Sequence, residues 1–226
     1  MTVARNVSFA MLSIYLGLIQ ENSVPKFLSR LIAAVACLTF MSGVVAAAEV
    51  APDALVKATV TDVLGVIKDN RDRRTLVDLA EKKVLPHFDF QTMTRLAVGK
   101  AWREATPEQR KALEESFRAL LVNTYATALS QQDTVDPTFE VKPVRVAPDQ
   151  KDVIVHSVVN QPGRQPVAVD YRMERTSNGW KVYDVIVENL SLVTNYRSTF
   201  ASEISRSGLD GLIKSLEAKN KQIGAT

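Results

Sequence analysis

Cysteine is almost missing from this sequence: the one residue, Cys37, lies within the first 48 positions. The chain beyond it has no disulfide, no thiolate nucleophile and no cysteine-ligated metal. Histidine is nearly as scarce. His87 and His156 are the two, neither has a partner at a metal-ligand spacing such as H-E-x-x-H, and both read as structural. There is no G-x-S-x-G nucleophile elbow. There is no glycine-rich phosphate loop either, because Gly99-Lys100 lacks the upstream glycine and the following serine or threonine. Without that motif the chain does not drive transport by itself. It also lacks a strong charge of either sign. The 28 basic and 25 acidic residues nearly balance, which argues against a nucleic-acid binder. With 46% hydrophobic residues, the same balance excludes a disordered chain.

The apolar content is unevenly spread. Residues 31–48 carry no charge, Lys26 and Arg30 stand just before them, and Ala46-Ala47-Ala48 closes the run. A basic flank, an apolar stretch and a small-residue end read as a cleavable signal peptide over 1–48. Cleavage removes Arg5, Lys26 and Arg30 against Glu21, and with them most of the formal +3. An uncleaved anchor and a lipid attached at Cys37 are the competing readings of this leader. Its first 23 residues are long for a basic region, so we expect synthesis to begin at Val24. Residues 49–226 are then one domain, large enough to bury a core without staples.

Along that domain Pro52 opens a helical stripe of Val56, Val60, Val63, Leu64 and Ile67 that breaks at Asn70-Arg71-Asp72. A second helix carries Leu76, Leu79, Ala80 and Val84 and stops before Pro86. Asp89 caps a third, which ends at Gly99. Thr106-Pro107-Glu108-Gln109 is a capping box, and the helix it starts runs to about residue 131. After Pro137 the period changes to two. Phe139 and Val141, resumed by Val144 and Val146 across a bulge, form a first strand; residues 153–159, 167–173 and 180–187 are three more. Ser191 caps a helix that ends at Gly208, and a last helix follows. Helices, then four strands joined by short turns, then helices is an α+β order: a four-stranded antiparallel sheet packed against a long helix and several shorter ones.

Asp184 is the one acid on an apolar strand face, alongside Trp180, Val182 and Ile186, and it requires a partner. Pairing with Arg172 or Arg197 is the structural reading; a catalytic acid is the alternative. Glu188 ends the same strand, and Asn189 suits a left-handed turn. These absences favour binding over catalysis.

Val84-Leu85-Pro86-His87-Phe88-Asp89-Phe90, followed by Gly99-Lys100-Ala101-Trp102-Arg103-Glu104-Ala105-Thr106-Pro107-Glu108-Gln109-Arg110, resembles the MlaC family of periplasmic phospholipid carriers. The likeness continues through Phe117-Arg118 and Tyr125. It resumes at Trp180-Lys181-Val182-Tyr183-Asp184-Val185 and at Glu188-Asn189-Leu190-Ser191. It closes at Asn195-Tyr196-Arg197 and Gly208-Leu209-Asp210-Gly211-Leu212. The departures are Asn189, where the family usually has glycine, and His87, where it often has an aromatic. The resemblance implies a monomeric periplasmic shuttle, not an enzyme, with one phospholipid as cargo and no cofactor or metal. It also implies docking to an outer-membrane lipoprotein–porin complex and to an inner-membrane ABC transporter through a ring of MCE domains.

A carried phospholipid needs an apolar cavity, and we expect it between the long helix and the sheet. The helix stripe of Phe117, Leu120, Leu121, Thr124, Tyr125, Ala128 and Leu129 is wider than one packing ridge. Val153 and Val155 offer one sheet face; Val167, Val169, Tyr171 and Met173 offer another. Leu96 and Tyr196 close the ends. The small residues Thr124 and Ala128 mark where room is left. Two other readings stay open: an exported α+β enzyme, an esterase or isomerase using Asp184, and a periplasmic adaptor without a small ligand.

Overall fold

A computed structural model describes residues 49–131 and 137–224. The expected leader, its cleavage site and Cys37 lie outside them. Helix α1, Pro52–Asp69, starts on its proline. The Asn70 side chain accepts the Asp72 amide at 2.8 Å, and Asp72 in turn caps α2, Arg73–Leu79, by accepting from the amide of Thr75. The expected α-helical path to Val84 does not persist. The chain widens to a π turn over Ala80–Val84 and tightens to a 3-10 turn over Leu85–His87. Pro86 is the reason, since it has no N–H and its ring meets the carbonyl four residues back. Asp89 caps α3, Phe90–Val98, at the Thr92 amide (2.8 Å), and Gly99 ends it with a φ of 68°.

Helix α4, Pro107–Ser130, opens on the expected capping box, made in both directions: the Gln109 amide donates to Thr106 Oγ1 at 3.2 Å, and the Thr106 amide donates to Gln109 Oε1 at 3.1 Å. Arg110 ties this start down. Its Nε donates to the Trp102 carbonyl, and its guanidinium lies 5.6 Å from the centre of the Trp102 ring.

The sheet is an antiparallel meander of five strands in the order β1 (Thr138–Val141), β2 (Asp152–Asn160), β3 (Val167–Thr176), β4 (Gly179–Val187), β5 (Leu190–Ser191). Two features differ from the sequence reading. The first strand ends at Val141, because Pro143 offers no ladder donor; the Val144 amide turns to Asp53 on α1 instead (3.3 Å). The fifth strand is two residues long and folds back on Ile186 and Val187 through Glu188 and Asn189. Both turn residues have positive φ, 49° and 65°, as a type I′ turn requires. Asn189 was expected there. Glu188 is held by its own side chain, whose Oε1 accepts the Ala168 amide at 2.6 Å.

Helix α5, Leu192–Gly224, bends at Gly208, whose φ of 70° breaks the helical path where the sequence marked an end. It packs on α4 and α3 around one buried cluster that includes Met93, Leu113, Phe117, Leu120, Tyr183 and Phe200. A second cluster lies between α1 and the sheet around Val56, Val153, Val155, Met173, Trp180 and Val182. Ile67, Leu76 and Ala126 form a third where α1, α2 and α4 meet. Among the described residues no helix is long and apolar enough to cross a membrane.

Candidate functional site

Between the three clusters lies a cavity of about 480 Å³, within the ordinary range for ligand pockets of about 300–1,000 Å³. Helix α1 lines it with Leu55, Val56, Thr59, Val60, Val63 and Ile67. The α2 segment and its π turn add Leu76, Leu79, Ala80 and Val84, the residues leading into α3 add Leu85, His87 and Phe88, and α3 itself adds Phe90 and Met93. Helix α4 supplies Leu121, Val122, Tyr125, Ala126 and Leu129. The floor is Val169, Tyr171 and Met173 of β3 with Val182, Val185 and Val187 of β4, and Leu192 closes the edge. Tyr125 is 50% exposed and Val187 40% exposed although both line the cavity, so it opens to the surface between α4 and the end of β4.

The wall carries no charge. Thr59 donates its hydroxyl to the Leu55 carbonyl of its own helix at 2.9 Å. Burial pushes the Tyr171 phenol up to about 12, and burial with the nearby Tyr196 raises that of Tyr125. Burial, and then the Lys181 ammonium, lower the pKa of His87. All four polar side chains of the wall are therefore neutral at pH 7. Such a surface solvates hydrocarbon and repels ions.

Six of the sequence-predicted residues line this cavity: Leu121, Tyr125, Leu129, Val169, Tyr171 and Met173. Nine lie elsewhere, half-buried Val167 of β3 among them. Phe117 and Leu120 are buried on another side of α4, where Phe117 meets Tyr196 and Phe200 edge-on at centroid distances of 4.9 and 5.2 Å. Tyr196 and Leu96 pack on that same first cluster, and Val153 and Val155 are covered in the second. Thr124 is half-buried and Ala128 is exposed. The wide stripe on α4 is thus two stripes. One packs on α5; the other, at positions 121, 122, 125, 126 and 129, faces the cavity. The small residue that α4 places on the wall is Ala126. The largest single share of the lining that sequence reasoning missed comes from α1, whose periodic valines were read as a helix without being assigned a role.

Asp184 is corrected as well. Tyr183 is an extra residue in β4: Arg172 pairs with Asp184 and Met173 with Val182, so the strand bulges between them. The bulge shifts the phase, turning Val185 and Val187 to the cavity with Val182 and taking Asp184 off that face. Its partner is not an arginine. Asp184 accepts the Ser191 hydroxyl at 2.6 Å and the Val193 amide at 3.1 Å, at the start of α5. Arg172 lies over the Tyr183 ring at 5.1 Å, and Arg197 donates to the Leu96 carbonyl. A carboxylate committed to a helix start and absent from the cavity wall has no place in catalysis there. His156 faces Asp170 across β2 and β3, with Nδ1 3.0 Å from Oδ2, also away from the cavity.

The chain is similar to known proteins. The solved phospholipid-binding protein from Ralstonia solanacearum, in complex with a phospholipid, is 41% identical; it aligns over 76% of this chain and 98% of that one, with a TM-score of 0.69. The toluene tolerance protein ttg2D of Pseudomonas putida is 29% identical over 169 residues, covering 70% of this chain and 75% of that protein. The intermembrane phospholipid transport system binding protein MlaC of Haemophilus influenzae is 20% identical over 185 residues, covering 78% of this chain and 86% of its own. The family model for the MlaC protein matches residues 57–218, and with the whole span from α1 into the end of α5 inside that match, the chain belongs to the MlaC family.

Proposed function

We propose that this protein is a periplasmic phospholipid carrier, which holds its cargo by the acyl chains in the cavity beneath α1, α2 and α4. The observation that carries this reading is the uncharged wall of a cavity of about 480 Å³, in a chain 41% identical to a protein solved with a phospholipid bound. Exposing acyl chains to water costs about 0.8 kcal/mol per methylene, so an aqueous crossing requires such a cover. The Haemophilus influenzae and Ralstonia solanacearum relatives are named as phospholipid transport-system binding and phospholipid-binding proteins, which supports a carrier over an esterase or isomerase. Asp184, the residue an enzyme reading depended on, is bound to the start of α5.

The leader over 1–48 exports the chain, and the mature protein begins at or near Glu49 and works as a monomer. It exchanges lipid with an outer-membrane lipoprotein–porin complex and with an inner-membrane ABC transporter bearing an MCE ring, as its likeness to the family implies. Organic extraction of the purified protein followed by mass spectrometry tests the central claim. One phospholipid per chain is the expected result; protein that never carries lipid, whether purified or incubated with vesicles, rejects it.

A further inference from the structure

His87 is the one basic side chain on the cavity wall, and the carrier reading gives it nothing to do. A histidine in an apolar setting usually satisfies its ring with a protein partner. Among the described residues none hydrogen-bonds this imidazole. The ring is half-buried, follows the exposed Pro86, and so stands at a rim of the cavity. Its place is fixed on both sides. Phe88 bridges to Val182 near the start of β4, and Lys181 donates from Nζ to the Pro86 carbonyl, which sets an ammonium beside the imidazole. From Val182 the floor runs along β4 to Val187 at the opposite opening, five residues and roughly 16 Å of strand. The cavity wall is thus largely hydrocarbon, with the His87 imidazole at this rim and the half-exposed Tyr125 phenol at the other opening.

We propose that His87 hydrogen-bonds an oxygen of the glycerophosphate region of the bound lipid, and so sets the boundary between head group and acyl chains at this rim. The inference rests on the carrier reading. A neutral imidazole has one N–H to donate, which suits a phosphate oxygen and an ester carbonyl equally. The adjacent Lys181 ammonium adds attraction for the phosphate. The chains then lie along β4 towards Tyr125 and Val187.

With two histidines in the chain, the ring nitrogens are easily observed by NMR, His156→Gln assigning one set. Loading delipidated protein from phosphatidylglycerol vesicles should shift the His87 nitrogens and hold one tautomer, leaving those of His156 unchanged. In competition between phosphatidylglycerol and a fatty-acid methyl ester, His87→Phe should reduce the preference for the phospholipid about three- to tenfold, and His87→Gln should keep part of it. A diether phosphatidylglycerol retains the phosphate without the esters, and a diacylglycerol the reverse; the arm that feels His87→Phe identifies the oxygen. Stoichiometric lipid by mass spectrometry with unmoved His87 signals would overturn the proposal and leave the carrier intact, as would an unchanged preference in both variants. No uptake by the wild-type protein rejects the carrier reading, and this one with it.

Discussion

One carboxylate, that of Asp184, joins the last long strand to the last helix: its Oδ1 accepts the amide of Val193, 3.1 Å away. Oδ2 takes the Ser191 hydroxyl, and that same hydroxyl accepts the Thr194 amide at 3.0 Å, so both side chains answer the unpaired donors of the first turn of α5. Asp184 and Val193 are both buried, so that amide has little recourse to water.

Asp184→Ala should therefore destabilise the fold by about 1.5–3 kcal/mol, the range for a hydrogen-bonded charged group. Asp184→Asn should recover part of the loss. Urea unfolding measures both. Lipid carried per folded molecule should be unchanged; a folded Asp184→Ala protein devoid of lipid would contradict the helix-capping role.

Ala126 is buried on the cavity wall and Ala128, two positions on, is exposed. Ala126→Trp should fold with the ring in the cavity and co-purify with several-fold less phospholipid. Ala128→Trp should leave the load unchanged. Quantitative lipid extraction compares them, and equal loads in the two variants would place the cargo elsewhere.

Tyr171 ties stability to high pH. Its phenol is pushed up to about 12, chiefly by burial, whereas an unfolded tyrosine titrates near 10. The folded state keeps a proton that the unfolded chain releases. The contribution is fully present below about pH 10 and is lost as the pH rises towards 12. Two pH units amount to at most about 3 kcal/mol. Tyr171→Phe should flatten this part of the curve, as unfolding midpoints at pH 9, 10 and 11 will show.

Thr106 and Gln109 act as a unit at the start of α4. Thr106→Ala should cost about 0.5–2 kcal/mol. The double change with Gln109→Ala should cost less than the sum of the single changes, since each bond supports the same turn. Thermal unfolding of the four proteins in the cycle provides the measurement.

What the sequence by itself determined is what neighbours along the chain decide. Thr106 and Gln109 started α4, Asp89 and Gly99 bounded α3, Gly208 broke the last helix, and alternating valines laid out the meander. Each depends on backbone geometry within a few residues. A single cysteine confined to the first 48 residues, the absence of catalytic motifs, and the family-like runs around Pro86, Trp102 and Trp180 pointed to the class of function. Tertiary structure decided which apolar residues touch one another and which leave a space. Leu120 and Leu129 are the same residue type on α4, yet one is buried in the first cluster and the other faces the cavity. Nothing local distinguishes them, because burial against a side chain and burial against a cavity require the same apolar surface. The bulge at Tyr183 made a similar choice in β4. An alternating sequence fixes two faces, but one extra residue exchanges them, and only pairing with β3 shows where it falls.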